Sequence, residues 1–192
     1  MNVQLPQQFL APDRTTWHIT LGTYGTRLHG GDRPTVDREH NHRGEIFIAR
    51  NAEREKFERD AMRTSAIVLP IEVRSFIEQS IPSLCIRGNW TYRTCAAPAE
   101  EDHVHIMLDA ERQIHGKDVR KWLKRWLTEA LNSKFGKPPG GDWWAQCGST
   151  KPVKHIEYLN NAFPYICNQR TTPWRAGACR PDAPDAPDST HT

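Results

Sequence analysis

The sequence lacks the features of membrane-bound and disulfide-built proteins. No apolar run approaches the length of a membrane-spanning helix, and the hydrophobic share is only 37%. The first residues carry neither the basic nor the apolar region of a signal peptide. The five cysteines are an odd number without a CxxC pair, which favours reduced thiols over a disulfide framework. We therefore expect a cytoplasmic protein without a membrane anchor.

A length of 192 residues predicts one domain with a sizeable core. We assign it to residues 1–178, and we expect the Pro-Asp-Ala-rich tail 179–192 to be disordered. The net charge of +3 for the whole chain is lower than the net charge of the part that is expected to fold. From Arg180 onward there are one Arg and three Asp, which leaves 25 basic and 20 acidic side chains before it. This basic excess permits nucleic-acid binding but does not demonstrate it.

The segment Asp102–Leu108 contains two histidines that flank a single valine. In a strand, side chains alternate between faces, so His103 and His105 share one face while Val104 and Ile106 point into the core. Two adjacent imidazoles are well placed to share one metal ion. The same pattern also occurs as two surface histidines on an edge strand. The interpretation therefore depends on what else the chain brings to this face.

A predicted helix over residues 154–169 carries a second set of polar side chains. Tyr165 and Gln169 are spaced i, i+4, so they lie on one helical face and could approach a metal held by the histidines. Tyr158 falls on a similar face, but Ala162 stands four residues after it and cannot ligate a metal. That difference favours Tyr165 as the reactive tyrosine.

Pro164 stands immediately before Tyr165. A proline inside a helix removes a hydrogen bond and bends the axis. We therefore expect the helix either to be kinked at this point or to begin again there.

The order of predicted elements is β-α-β-β-α-β followed by one more helix. This order indicates an α+β, ferredoxin-like core with an antiparallel sheet and an appended C-terminal helix that carries the tyrosine. Pro82 is expected to kink or end the first long helix. Between the first strand and the helices, residues 25–44 form a polar loop with three histidines, either solvated or a second metal site. The strands are expected at Trp17–Tyr24, Asn89–Ala96, His103–Leu108 and Trp143–Thr150.

The clearest helix has apolar residues at helical spacing from Val119 to Leu131. Lys117, Lys121 and Lys124 form a basic row on it, which is either a solvated face or a contact for nucleic-acid backbone. Trp143 and Trp144 are adjacent in a predicted strand, so they face opposite ways. We assign Trp144 as a platform on which an unpaired base could stack.

These residues together resemble the Y1 HUH-type DNA transposases, which include the IS200/IS605-like and REP-associated tyrosine transposases. The His103-Val104-His105 strand and the helix with Tyr165 and Gln169 carry the resemblance. The segments Trp17-His18-Ile19-Thr20, Thr23–Gly30 and Trp143–Ser149 agree with the REP-associated group. The resemblance covers roughly residues 16–170.

The resemblance implies that His103, His105 and Gln169 bind Mg²⁺ or Mn²⁺ and that Tyr165 is the nucleophile. The implied partner is single-stranded DNA with a hairpin, cut through a 5′-phosphotyrosine intermediate by a monomer or homodimer. A free phenol has a pKa near ~10 and attacks poorly, so a divalent cation that polarises the phosphate suits this chemistry.

Three other interpretations remain open at the level of sequence. His18-Ile19-Thr20 matches one of the two H-x-T/S motifs of 2H phosphoesterases, but the second motif would have to be His103-Val104-His105, which lacks the hydroxyl. Histidine-triad hydrolases need a third alternating histidine, and position 107 is Met. A domesticated transposase could also bind DNA hairpins without cutting them.

Overall fold

A computed structural model of the chain describes residues 12–31 and 50–171. The expected tail, the N-terminal lead-in up to residue 11 and most of the histidine-rich loop lie outside this part. The strands are β1 (Arg14–Gly22), β2 (Thr91–Ala96), β3 (His103–Glu111) and β4 (Ser149–Pro152). The helices are α1 (Ala52–Asp60), α2 (Ile71–Arg87), α3 (Gly116–Phe135) and α4 (Ile156–Cys167).

The four strands form one antiparallel sheet in the order β2-β3-β1-β4. With α2 between β1 and β2 and α3 between β3 and β4, this is the predicted β-α-β-β-α-β arrangement, and α4 is the appended helix. The expected α+β fold is therefore confirmed. The short charged helix α1 lies within the connection from β1 to α2, inside the range 52–64 in which the sequence favours such a helix.

The central strand β3 is covered on both of its faces. Val104, Ile106 and Leu108 belong to a core shared with α2 and α3. Met107 points the other way and packs with the apolar residues of α4. His103 and His105 have the same parity as Met107, so alternation directs them to the α4 face of the sheet. The candidate site therefore lies on the face opposite α2 and α3.

Two expected boundaries differ from the structure. The helix α2 does not end at Pro82 but continues to Arg87. Its residues beyond the proline, including Leu84 and Cys85, are buried, and their packing offsets the one hydrogen bond that proline removes. The strand β4 begins at Ser149 rather than Trp143, because the chain before it forms only an isolated bridge between Thr23 and Trp144.

Within residues 12–31 and 50–171, no helix combines the length and the apolar character required to cross a membrane.

Candidate active site

His103 and His105 form a tight pair on the α4 face of β3. Their Nε2 atoms are 3.1 Å apart, and the two rings are nearly perpendicular. Both side chains are buried, and register places Gly22 and Thr20 of β1 opposite them. Two imidazole nitrogens at this separation either share one proton or direct two lone pairs at one cation. The structure thus brings together the two histidines in the arrangement expected from their spacing.

Asp102 fixes the orientation of His103. Its carboxylate contacts His103 Nδ1 and lies 3.3 Å from the Arg27 Nε atom. Burial by itself raises the pKa of Asp102, but the hydrogen bond with His103 and the charge of Arg27 outweigh it and lower that pKa to about 2. The Arg27 Nη2 atom, which can only donate, also lies 3.3 Å from His103 Nδ1. The carboxylate is the closer group and favours the proton of His103 on Nδ1, which leaves a lone pair on Nε2. The side chain of Asp102 is buried.

The other nitrogen of His105 faces β1. Its Nδ1 lies 3.1 Å from the Thr20 hydroxyl and 3.2 Å from His18 Nε2. His18 Nδ1 in turn lies 2.8 Å from the hydroxyl of Tyr158 on α4. An unbroken series of polar contacts therefore links α4 to the histidine pair. Of these contacts, the sequence pattern indicates only the H-x-T arrangement of His18 and Thr20.

Burial keeps the two linked imidazoles neutral. Desolvation, followed by the charge of Lys151, lowers the pKa of His18 to about 4. Desolvation, followed by its histidine neighbours, lowers the pKa of His105 to about 3. Neutral imidazole is the form that binds metal ions, so both groups are in a suitable state well below neutral pH.

The two tyrosines of α4 occupy different environments. The Tyr165 side chain is 52% exposed, and its ring centroid lies 5.7 Å from that of His105. Tyr158 is partly buried against His18, and burial raises the pKa of its phenol. Tyr165 is therefore the more accessible of the two tyrosines. α4 runs through Pro164 without beginning again there.

Gln169 lies in the turn that follows α4 rather than on the helix itself. The helix ends at Cys167, although the Gln169 amide still donates to the Ile166 carbonyl. The side-chain Oε1 is buried and has no hydrogen-bond partner among the described residues. An orphaned buried acceptor costs about 1–3 kcal/mol, so this oxygen is suited to a partner outside the described residues.

Acidic and thiol ligands do not complete the site. Within the described part of the chain, no three His, Cys, Asp or Glu side chains are grouped so as to hold a metal ion. A cation beside the histidine pair would therefore have no further histidine, cysteine or carboxylate of the described residues as a third ligand.

The three lysines of the predicted basic row on α3 occupy different environments. Lys117 and Lys121 are exposed, whereas the Lys124 ammonium donates to the carbonyls of Ala145, Gln146 and Cys147. Burial, followed by the charge of Arg120, lowers the pKa of Lys124 to about 8. Lys124 therefore holds the loop before β4 and is not free to contact a phosphate.

Trp144 is part of the hydrophobic core. Its side chain is 8% exposed, and its Nε1 donates to the Thr128 hydroxyl on α3. Trp143 is buried similarly, with its Nε1 donating to Asn132. Neither indole offers a free ring face on which a base could stack, which corrects the expectation of a platform at Trp144.

Comparisons with known proteins assign no family. No protein-family model matches the sequence, and no curated protein matches it. A similar solved structure is the crystal structure of a proposed transposase from Deinococcus radiodurans R1. The two share 17% sequence identity with a TM-score of 0.46, over 82% of this chain and 92% of that one. A likeness at this level does not identify an activity.

Replacing Lys124 by Met should destabilise the protein. The methionine keeps the apolar stem but leaves the three carbonyls of the loop without their donor, which costs about 1–3 kcal/mol. Chemical denaturation measures the loss. Lys121→Met, on the exposed side of the same helix, is the matched control and should change the free energy of unfolding little. Equal effects from the two variants would contradict the role of Lys124 in holding the loop.

Proposed function

We propose that this protein is a metal-dependent, single-tyrosine transposase that cleaves and rejoins single-stranded DNA beside a hairpin. The observation that carries the proposal is the position of Tyr165, an accessible phenol whose ring lies beside His105 of a converging imidazole pair. The resemblance of the motifs to HUH-type transposases supports the same assignment. The reaction would take place in the cytoplasm, with the protein acting as a monomer or homodimer.

The polar groups of the site fit a hard divalent cation. His103 and His105 would supply two imidazole nitrogens, and Gln169 would supply the buried oxygen that lacks a partner. Such a set leaves open positions for phosphate oxygens on Mg²⁺ or Mn²⁺. A bound cation would polarise the scissile phosphate. Because the third protein ligand is neutral, it adds no negative charge beside the DNA.

Tyr165 would act as the nucleophile. Its oxygen forms a bond to phosphorus while the bond from phosphorus to the 3′-oxygen breaks, and the phenol proton passes to solvent as the 3′-hydroxyl is released. The product is a 5′-phosphotyrosine, which conserves the bond energy. A 3′-hydroxyl can then attack the same phosphorus and lose its proton to solvent, while the bond from phosphorus to the Tyr165 oxygen breaks and the phenol takes up a proton. The DNA strand is thereby reformed without ATP.

Lys117 and Lys121 would bind DNA at a distance from the reaction. They lie on α3, which packs on the sheet face opposite α4. Contacts there could hold flanking DNA such as the hairpin but could not reach the scissile phosphate. Lys124 and Trp144 are excluded from this role by their contacts within the protein.

The alternative of a 2H phosphoesterase has less support from the geometry. Such an enzyme needs histidine nitrogens that face the substrate. Both ring nitrogens of His18 already lie at hydrogen-bond distance from protein groups, Tyr158 on one side and His105 on the other. Hairpin binding without cleavage remains the alternative that the experiments below distinguish.

Tyr165→Phe should abolish the covalent protein–DNA adduct. The change removes one hydroxyl and almost no volume, so the fold and the affinity for DNA should survive. The adduct is detected as a shifted band on a denaturing gel, with a labelled oligonucleotide from the DNA that flanks the gene.

Tyr158→Phe is the matched control for this experiment. It removes the hydroxyl bonded to His18 and should lower the yield of adduct without abolishing it. If only Tyr158→Phe abolished the adduct, Tyr158 would be the nucleophile. If the wild-type protein formed no adduct with cognate DNA and metal, binding without cleavage would be the better assignment.

Removal of divalent metal should stop DNA cleavage. EDTA should abolish the adduct, and Mg²⁺ or Mn²⁺ should restore it. His103→Ala and His105→Ala should each lower the cleavage rate by at least about two orders of magnitude, because loss of one ligand misplaces the cation and its phosphate. Undiminished cleavage in EDTA would rule out the proposed metal site.

The salt dependence of DNA affinity tests whether the exposed lysines of α3 contact phosphates. Replacing Lys117 and Lys121 together by Ala should lower the slope of log affinity against log salt by roughly 0.7 for each lost phosphate contact. Lys134 and Lys137 are also exposed, and their double alanine variant removes the same charge elsewhere. Equal slopes for the two double variants would show that Lys117 and Lys121 make no specific contact.

A further inference from the structure

The protonation pattern of His105 determines whether it can bind a cation. A neutral imidazole carries one proton, on either Nδ1 or Nε2. Only the form with its proton on Nδ1 has a lone pair on Nε2, the atom that faces His103. The group next to Nδ1 must then accept a hydrogen bond. That group is His18 Nε2 or the Thr20 hydroxyl, at 3.2 and 3.1 Å.

Through His18 and Tyr158, the position of the His105 proton also depends on a residue of α4. If His105 donates to His18 Nε2, the proton of His18 must lie on Nδ1, and it donates to the Tyr158 oxygen 2.8 Å away. In the reverse direction, Tyr158 donates to His18 Nδ1 and His18 Nε2 donates to His105 Nδ1. His105 then carries its proton on Nε2 and donates it to His103. The Thr20 hydroxyl suits both directions, because it can donate or accept.

The two directions of hydrogen bonding contain the same number of protons, but they have opposite consequences for cation binding. In the first, lone pairs of His103 and His105 converge, since Asp102 already holds the proton of His103 on Nδ1. In the second, one proton lies between the two Nε2 atoms and blocks the position of a cation. The 3.1 Å separation of these atoms is the distance expected for such an N–H···N hydrogen bond.

We infer that Tyr158 and His18 are positioning residues that switch His105 between a closed form, hydrogen-bonded to His103, and a ligand form. Binding of a cation selects the ligand form by reversing the direction of the hydrogen bonds. Neither residue touches the phosphate or the cation in this scheme. The inference rests on the proposed metal site and deepens it. It makes cation affinity depend on Tyr158, which acts on His105 through His18.

Nitrogen NMR of the histidine-labelled chain tests the switch directly. Without divalent metal, His105 should carry its proton on Nε2, and titration with Mg²⁺ should move that proton to Nδ1. The signals are assigned by comparison with His105→Ala. A proton on Nδ1 in both conditions would overturn the inference.

Cation affinity provides the second measurement. His18→Phe keeps a ring in place but removes the imidazole acceptor and leaves His105 with the Thr20 hydroxyl, which both donates and accepts. The ligand form is then less favoured, and Mn²⁺ affinity measured by calorimetry should fall about 10–100-fold. His18→Gln restores an acceptor oxygen near the position of Nε2 and should recover most of that loss. Thermal melting shows whether each variant is folded.

The outcomes separate the inference from the proposed function. Equal Mn²⁺ affinity in wild type and His18→Phe would overturn the positioning role while leaving the metal site intact. An equally weak His18→Gln variant that is folded would show that ring packing, rather than the hydrogen bond, is what His18 supplies, which also overturns the inference. A wild-type chain that binds no Mn²⁺ would overturn the metal site itself.

Discussion

The antiparallel ladder between β1 and β3 positions the strand residues of the candidate site. Partners across such a ladder point to the same face, so Thr20 lies beside His105 and Gly22 lies beside His103. A shift of β3 by one residue would turn both histidines into the apolar core and bring Val104 to the α4 face. The apolar alternation of β3 prevents that shift. The site therefore depends on the burial of residues that have no chemical role in it.

The second determinant is the cover that α4 provides. Its apolar residues pack on the polar face of the sheet through Met107 and Ala96. This cover removes water from His18 and His105 and leaves Tyr165 at its margin. The same helix therefore desolvates the imidazoles and presents a phenol to solvent beside them. Asp102 adds a buried charge at the other end of the histidine pair, where Arg27 balances it.

The sequence predicted those parts of the structure that follow from periodicity. Alternation in β3 located the histidine pair, and the apolar repeat located α3. Periodicity did not predict the role of Lys124. Its helical spacing places it on an exposed face, but it does not indicate that carbonyls of the loop before β4 will bind its ammonium. Trp144 is a similar case, since an isolated bridge replaces the expected strand and directs the indole inward.

Side-chain contacts between different strands, helices and loops could not be predicted from local sequence patterns either. The contact between His18 and Tyr158 joins residues 140 positions apart, and only the packing of α4 on the sheet creates it. Asp102 directly precedes β3, and its carboxylate accepts a hydrogen bond from Arg27, 75 positions away. In each case the side chain's role is decided by a neighbour that is remote in sequence.

The short strand β4 also limits how copies of this protein can associate. Among the strands of residues 12–31 and 50–171 it forms one edge of the sheet, and it ends at Pro152. Because the next residue, Val153, donates inward to the Thr16 carbonyl, the nitrogen of Pro152 faces outward, where its missing proton costs the ladder nothing. An approaching strand would meet a proline and the neighbouring Lys151 there. The edge is thus protected against continuous sheet extension, the usual route to aggregation of exposed strands.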